Sequence, residues 1–170
     1  KTIIHIPSVN SRESTKDKYN EVEEIYDLIG KYQYRDDKTG VDYIKRKEDG
    51  KILKVIDLVD DDINLRKLRV DYLSKLKSVN DLDIIIALGM AKEGFDWAWC
   101  EYALTIGYRG SLTEIVQIIG RCTRDSSNKT HAQFTNLIAQ PDATQDETAY
   151  TVNTFLKAIS ASLLMEQVLT

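Results

Sequence analysis

The chain has 170 residues, 42 % of them apolar and 29 % charged, which fits one soluble globular domain with a core of its own. Its net charge of −4 argues against a dedicated basic coat for nucleic acid, but not against a grip through backbone amides and a few local cations. No run approaches the roughly 18 apolar residues of a membrane span, and two cysteines and two histidines without metal-ligand spacing argue against a zinc site.

Thr2–Ile6 is a short β-branched run closed by Pro7, and it predicts a buried strand. The chain opens on Lys1 inside that run, with no signal-like start, and so reads as a piece of something longer. Asn10 or Ser11 can cap a helix that carries Val22, Ile25, Leu28 and Ile29 on one side and ends at Gly30. Val41–Lys47 and Lys51–Leu58 flank the turn Glu48-Asp49-Gly50 and predict a hairpin. Residues 31–54 hold eight basic and five acidic residues, against the acidic trend of the whole.

Asp60-Asp61-Asp62 opens a helix with Ile63, Leu65, Leu68, Tyr72, Leu73 and Leu76 as its apolar set. Three acids suit the positive end of a helix dipole and need no metal to explain them. Asp83–Leu88 is a continuous apolar strand, followed by the Gly-bearing loop GMAKEGFD and the strand Tyr102–Ile106. Ser111 then caps a helix through QIIGRCTR, Gln133–Ala139 is another parallel-type strand, and residues 146–169 form an amphipathic helix. Its apolar residues are Val152, Phe155, Leu156, Ile159, Leu163 and Leu164.

This alternation predicts an α/β fold: a doubly wound, mainly parallel sheet flanked by helices. Ligands in such folds sit beyond the carboxyl ends of the strands, where both GMAKEGFD and the Ser111 segment begin. Within QIIGRCTR, Gln117, Arg121 and Arg124 spread over about 60° of one helix face. Leu112, Ile115, Ile119 and Cys122 lie opposite, and Gly120 is expected to allow tight packing. Two aligned guanidiniums suit an anion; surface salt bridges are the plainer reading. In the loop, Gly94 permits close backbone approach and Asp96 offers a carboxylate, although a turn with a capping aspartate reads as well.

The stretch DIIIALGMAKEGFDWAWCEYALTIGYRGSLTEIVQIIGRCTRD, roughly residues 83–125, resembles motifs V and VI of superfamily 2 helicases. EGFD is similar to the family's E/R-G-x-D and QIIGRCTR to its Q-x-x-G-R-x-x-R. The flavour is that of restriction-enzyme motor subunits and excision-repair DNA helicases. Thr2–Ile6 with Pro7-Ser8 resembles motif IV more loosely, and residues 31–60 and 141–170 match nothing in particular. Many relatives carry D-x-P where this chain has Asp96-Trp97-Ala98, so the proline is missing.

The resemblance implies a RecA-like helicase C-terminal domain over residues 1–145, with 31–60 as an insertion, and a helix at 146–170 packing on it or on a neighbour. It implies ATP with Mg²⁺ held by a separate N-terminal RecA-like domain, since no G-K-T/S phosphate loop occurs here. Arg124 is the implied arginine finger, Arg121 lies beside it, and Gln117 orders the γ-phosphate and the attacking water. Gly94, Asp96 and Glu93 are the implied nucleotide contacts, with Asp96 on the ribose. Ser8, Asn10, Arg12, Gly89 and Met90 are the implied nucleic-acid contacts, expected on the opposite rim and to DNA rather than RNA. The chain alone is expected to be inactive as an ATPase, and its setting is expected to be cytoplasmic, with reduced thiols and no membrane. Trp97 and Trp99 read as core or interface aromatics before base-stacking platforms. The alternative is a nonhydrolytic module that uses the arginine face to bind nucleic acid or protein. An unrelated doubly wound enzyme lacks support, because neither His5 nor His131 stands beside a Ser or Cys in a catalytic pattern.

Overall fold

A computed structural model of the chain describes residues 1–7, 16–88, 97–107, 112–137 and 144–169. Seven strands form one sheet in the order β2-β3-β4-β5-β1-β6-β7. In chain order they are β1 (Thr2–Ile6), β2 (Gly30–Arg35), β3 (Asp42–Arg46), β4 (Ile52–Asp57), β5 (Ile84–Leu88), β6 (Tyr102–Ile106) and β7 (Gln133–Leu137). The helices are α1 (Lys18–Ile29), α2 (Ile63–Ser74), α3 (Leu112–Thr123) and α4 (Gln145–Leu169). Strands β4, β5, β1, β6 and β7 run parallel, while β3 is antiparallel to β4 and β2 to β3. The expected α/β sheet is therefore present, with an antiparallel extension at one edge.

The parallel strands are apolar on both faces because helices cover both. Ile4, Ile6, Val55 and Ile86 point to one side, where they meet Val22, Ile25 and Ile29 of α1. Ile3, Ile56, Ile85 and Ala103 point to the other, where they meet Leu73 of α2 and Ile118 and Cys122 of α3. Trp97 is 4 % exposed within this second cluster and Trp99 packs against it, so both are core aromatics as expected.

The α1 cap is Asp17, whose carboxylate accepts from Tyr19 N at 3.1 Å and Asn20 N at 3.2 Å. The helix therefore begins later than the expected caps, Asn10 and Ser11, which lie outside the described residues. Leu28, assigned to its apolar side, is 79 % exposed, and Tyr26 takes its place toward the core. In α2 the cap is Asp62, and Ile63 is 80 % exposed. The hairpin is observed as β3 and β4, with Gly50 at φ +72° in its turn. Its second strand is not peripheral, because β4 pairs with β5 in the parallel core.

Candidate functional site

Helix α3 separates its two faces as its sequence dictates. Ile115 and Ile119 pack against Phe155 and Ala158 of α4, and Ile118 and Cys122 against the sheet. This leaves Gln117 exposed and Arg121 half-buried on the outer face. Arg124 is the first residue after the helix, not part of its last turn, and it too is exposed. The Lys129 ammonium donates to the Cys122 carbonyl at 3.2 Å and to the Arg124 carbonyl, capping the negative end of α3. A third cation thus stands at this end of the helix. Its sequence signal is a lysine placed shortly after the last helical residue.

Gly120 differs from its expected role. No other described residue lies within 4 Å of a Cβ built there, so it serves no tight packing among the described residues. It is half-buried next to Arg121, with open space over its Cα among the described residues. Both thiols are buried on the other side of α3 or below it; burial pushes Cys100 up to about 12 and raises Cys122. Neither is a nucleophile at neutral pH. Among the described residues no group of three or more His, Cys, Asp or Glu could hold a metal ion.

The remaining predicted residues, Ser8, Asn10, Arg12, Gly89, Met90, Glu93, Gly94, Asp96 and the cap Ser111, lie outside the described residues. The strands they follow are described. β5, β1 and β6 are parallel neighbours, with Leu88 level with Ile6 and Thr105 level with His5. At a strand spacing of about 4.8 Å, the chain leaves β1, β5 and β6 within roughly 10 Å along one sheet edge. The segments with Ser8, with Gly89 to Asp96, and the lead into α3 all start from that edge.

A buried polar row near the same edge has no counterpart in the sequence reading. His5 is paired level with Thr105, and Thr105 with Asn136, across β1, β6 and β7. The Thr105 hydroxyl donates to Asn136 Oδ1. Polar residues in otherwise apolar strands are the signal that marks them.

Over all of its 170 residues the chain is 70 % identical to a protein of Bacillus subtilis (strain 168) named "Putative ATP-dependent helicase YeeB". It spans 28 % of that relative's length. No protein-family description matches the chain, and no solved structure matches it.

Proposed function

We propose that this chain is the second RecA-like half of an ATP-dependent helicase or translocase acting on nucleic acid, DNA rather than RNA. The observation that carries the reading is the outer face of α3. Gln117, Arg121 and Arg124 stand exposed or half-exposed, backed by a fully packed inner face and led into from the ligand-binding edge of a parallel sheet. The printed name of the 70 % identical relative supports it.

ATP is the substrate and would be held by a partner domain that carries the phosphate loop and the Mg²⁺ ligands. An exposed guanidinium fits this arrangement, because it can meet a phosphate arriving from outside. Phosphoryl transfer gathers negative charge on the equatorial oxygens, and a planar guanidinium donates two hydrogen bonds to such oxygens where a lysine donates from a point. Arg124 is the finger, Arg121 a second donor, and Gln117 positions water. Asp96 takes the ribose, with Gly94 and Glu93 beside it, and Ser8, Asn10, Arg12, Gly89 and Met90 contact the nucleic-acid backbone. Because the cations come from a different domain than the phosphate loop, hydrolysis requires closure, and closure and reopening drive stepping.

The test is DNA-stimulated ATP hydrolysis in the longer protein that carries this chain, comparing wild type with Arg124→Ala. A fall in turnover of roughly 10³-fold or more, with nucleotide binding kept, is the expected result. Unchanged turnover sinks the finger and means that the arginine face serves something else, such as binding a partner or nucleic acid.

A further inference from the structure

We infer that the antiparallel edge of the sheet, through Tyr34, Tyr43, Lys31 and Lys45, is a docking surface for single-stranded nucleic acid. The inference shares with the motor reading only its class of partner and uses none of the α3 residues. It begins with the register of β2. Tyr32 pairs with Ile44 and Tyr34 with Tyr43, so two residues of β2 advance against one of β3, and Gln33 is the extra residue of a β-bulge. Without it, Tyr34 would share the face of Tyr32 and Ile44, because side chains alternate along a strand. The bulge turns Tyr34 to the other face, which is what bulges near binding sites commonly do.

On that face Tyr34 lies on Tyr43 with ring centroids 4.6 Å apart and planes within 10°. Tyr43 is half-buried against the core, while Tyr34 is 55 % exposed, so the outer side of a rigidly backed ring faces water. Beside the rings, Lys31 and Lys45 are exposed and directly opposite each other across the strands. Like charges in that position repel and cost stability. An anion between them removes the cost. Ile52, opposite Lys45, is 45 % exposed and extends the apolar part of the patch.

An aromatic platform with flanking cations is the arrangement that holds single strands: bases stack on the ring and phosphates meet the lysines. A duplex hides its base faces and cannot use Tyr34. An acidic polypeptide would use the lysines but not the open ring. Lys31 and Lys45 set two exposed cations on this face in a chain of net charge −4, with the Asp36 carboxylate near Tyr43 as the opposing charge, so a polyanion is held on the lysine side of the rings.

The experiment is a fluorescence-anisotropy titration of labelled oligo-dT of roughly 16 nucleotides with the full chain, without ATP, over a salt series. Expected are a tenfold or greater loss of affinity in Lys31→Glu/Lys45→Glu, with a salt slope shallower by about two, and a loss of about tenfold in Tyr34→Ala with the slope kept. Tyr34→Trp should retain binding, and Lys67→Glu, an exposed position on α2, should change it little. Absence of binding, binding indifferent to Tyr34→Ala, or equal damage from Lys67→Glu overturns the proposal. So does displacement of oligo-dT by polyglutamate at equal charge concentration. Melting curves of each variant establish that the fold is kept. Because no ATP is present, failure here leaves the Arg124 test untouched.

Discussion

Gly120 and Arg121 are neighbours on the outer side of α3, and the glycine is the more informative of the two for stability. A glycine inside a helix costs about 0.5–1 kcal/mol relative to alanine, because its backbone loses more freedom on folding. A methyl group at Gly120 would meet no other residue within 4 Å among the described residues, so none of them opposes it. Gly120→Ala is therefore expected to stabilise the chain by about 0.5–1 kcal/mol, measured by urea unfolding. A loss of stability would mean that the methyl group meets a neighbour after all. On the proposed function the open space beside Arg121 is where a nucleotide from another domain approaches. The same change should then lower turnover of the longer protein while the isolated chain gains stability.

Among the elements, α4 shows how periodicity can mislead. Val152, Leu156, Ile159 and Leu164 carry the apolar period, yet they are 49 %, 56 %, 36 % and 62 % exposed. Of the expected face Phe155 is buried, tilted against Phe134 at 5.3 Å and packed on Ile115 and Ile119, and the residues buried with it are Thr151 and Ala158. Small residues at positions 151 and 158 let the backbone of α4 approach α3, and a hydropathy pattern gives such residues little weight. Phe155→Ala is expected to cost about 3 kcal/mol, since it empties a buried site. Leu156→Ala, one residue on and exposed, should change stability by less than about 0.5 kcal/mol. Equal effects in thermal unfolding would show that the helix packs by the other face. Helix α3 is clearer: Ile115, Ile119 and Cys122 are buried as their period predicts and Gln117 and Arg121 lie opposite, while Arg124 falls just beyond the helix end. Strand β2 carries only a short signal, Tyr32 and Tyr34 alternating with Lys31, Gln33 and Arg35, and all five of these residues are exposed, so no buried face marks it.

Across the whole molecule, one buried network joins the antiparallel edge to helices on both sides of the sheet. Asp42 of β3 is fully buried; it accepts from Arg69 of α2 at 2.9 Å, from Arg35 of β2 at 2.7 Å and from the Tyr26 hydroxyl of α1 at 2.8 Å. Arg69, also fully buried, donates to the Gly40 carbonyl at 2.9 Å and to the Asp57 carbonyl at the end of β4. Burial, with Asp42 next to it, holds the Tyr26 hydroxyl well above its usual value of 10.0. The folded chain thus keeps this proton where the unfolded chain releases it. The stability it gives is whole below pH 10 and is lost as pH rises through the raised value. Tyr26→Phe should be less stable than wild type by about 1–2 kcal/mol near neutrality. The gap should narrow above pH 10, read as unfolding midpoints across a pH series. A constant gap would show that Tyr26 ionises alike in both states.

The parallel α/β core, the hairpin around Gly50, the burial of the tryptophans and the apolar face of α3 are all legible in the sequence. Each of these is written in a period or a turn signal spanning a few residues, and local backbone geometry translates that signal directly. Only the tertiary structure decided that β4 enters the parallel core, that a bulge turns Tyr34 to the face of Tyr43, and that Arg69 is buried rather than solvated. It also decided which side of α4 meets α3. These depend on strand pairing and charge partners far apart in the chain: Arg69 is 27 residues from Asp42. A side chain's local pattern carries no record of the partner that makes its burial favourable.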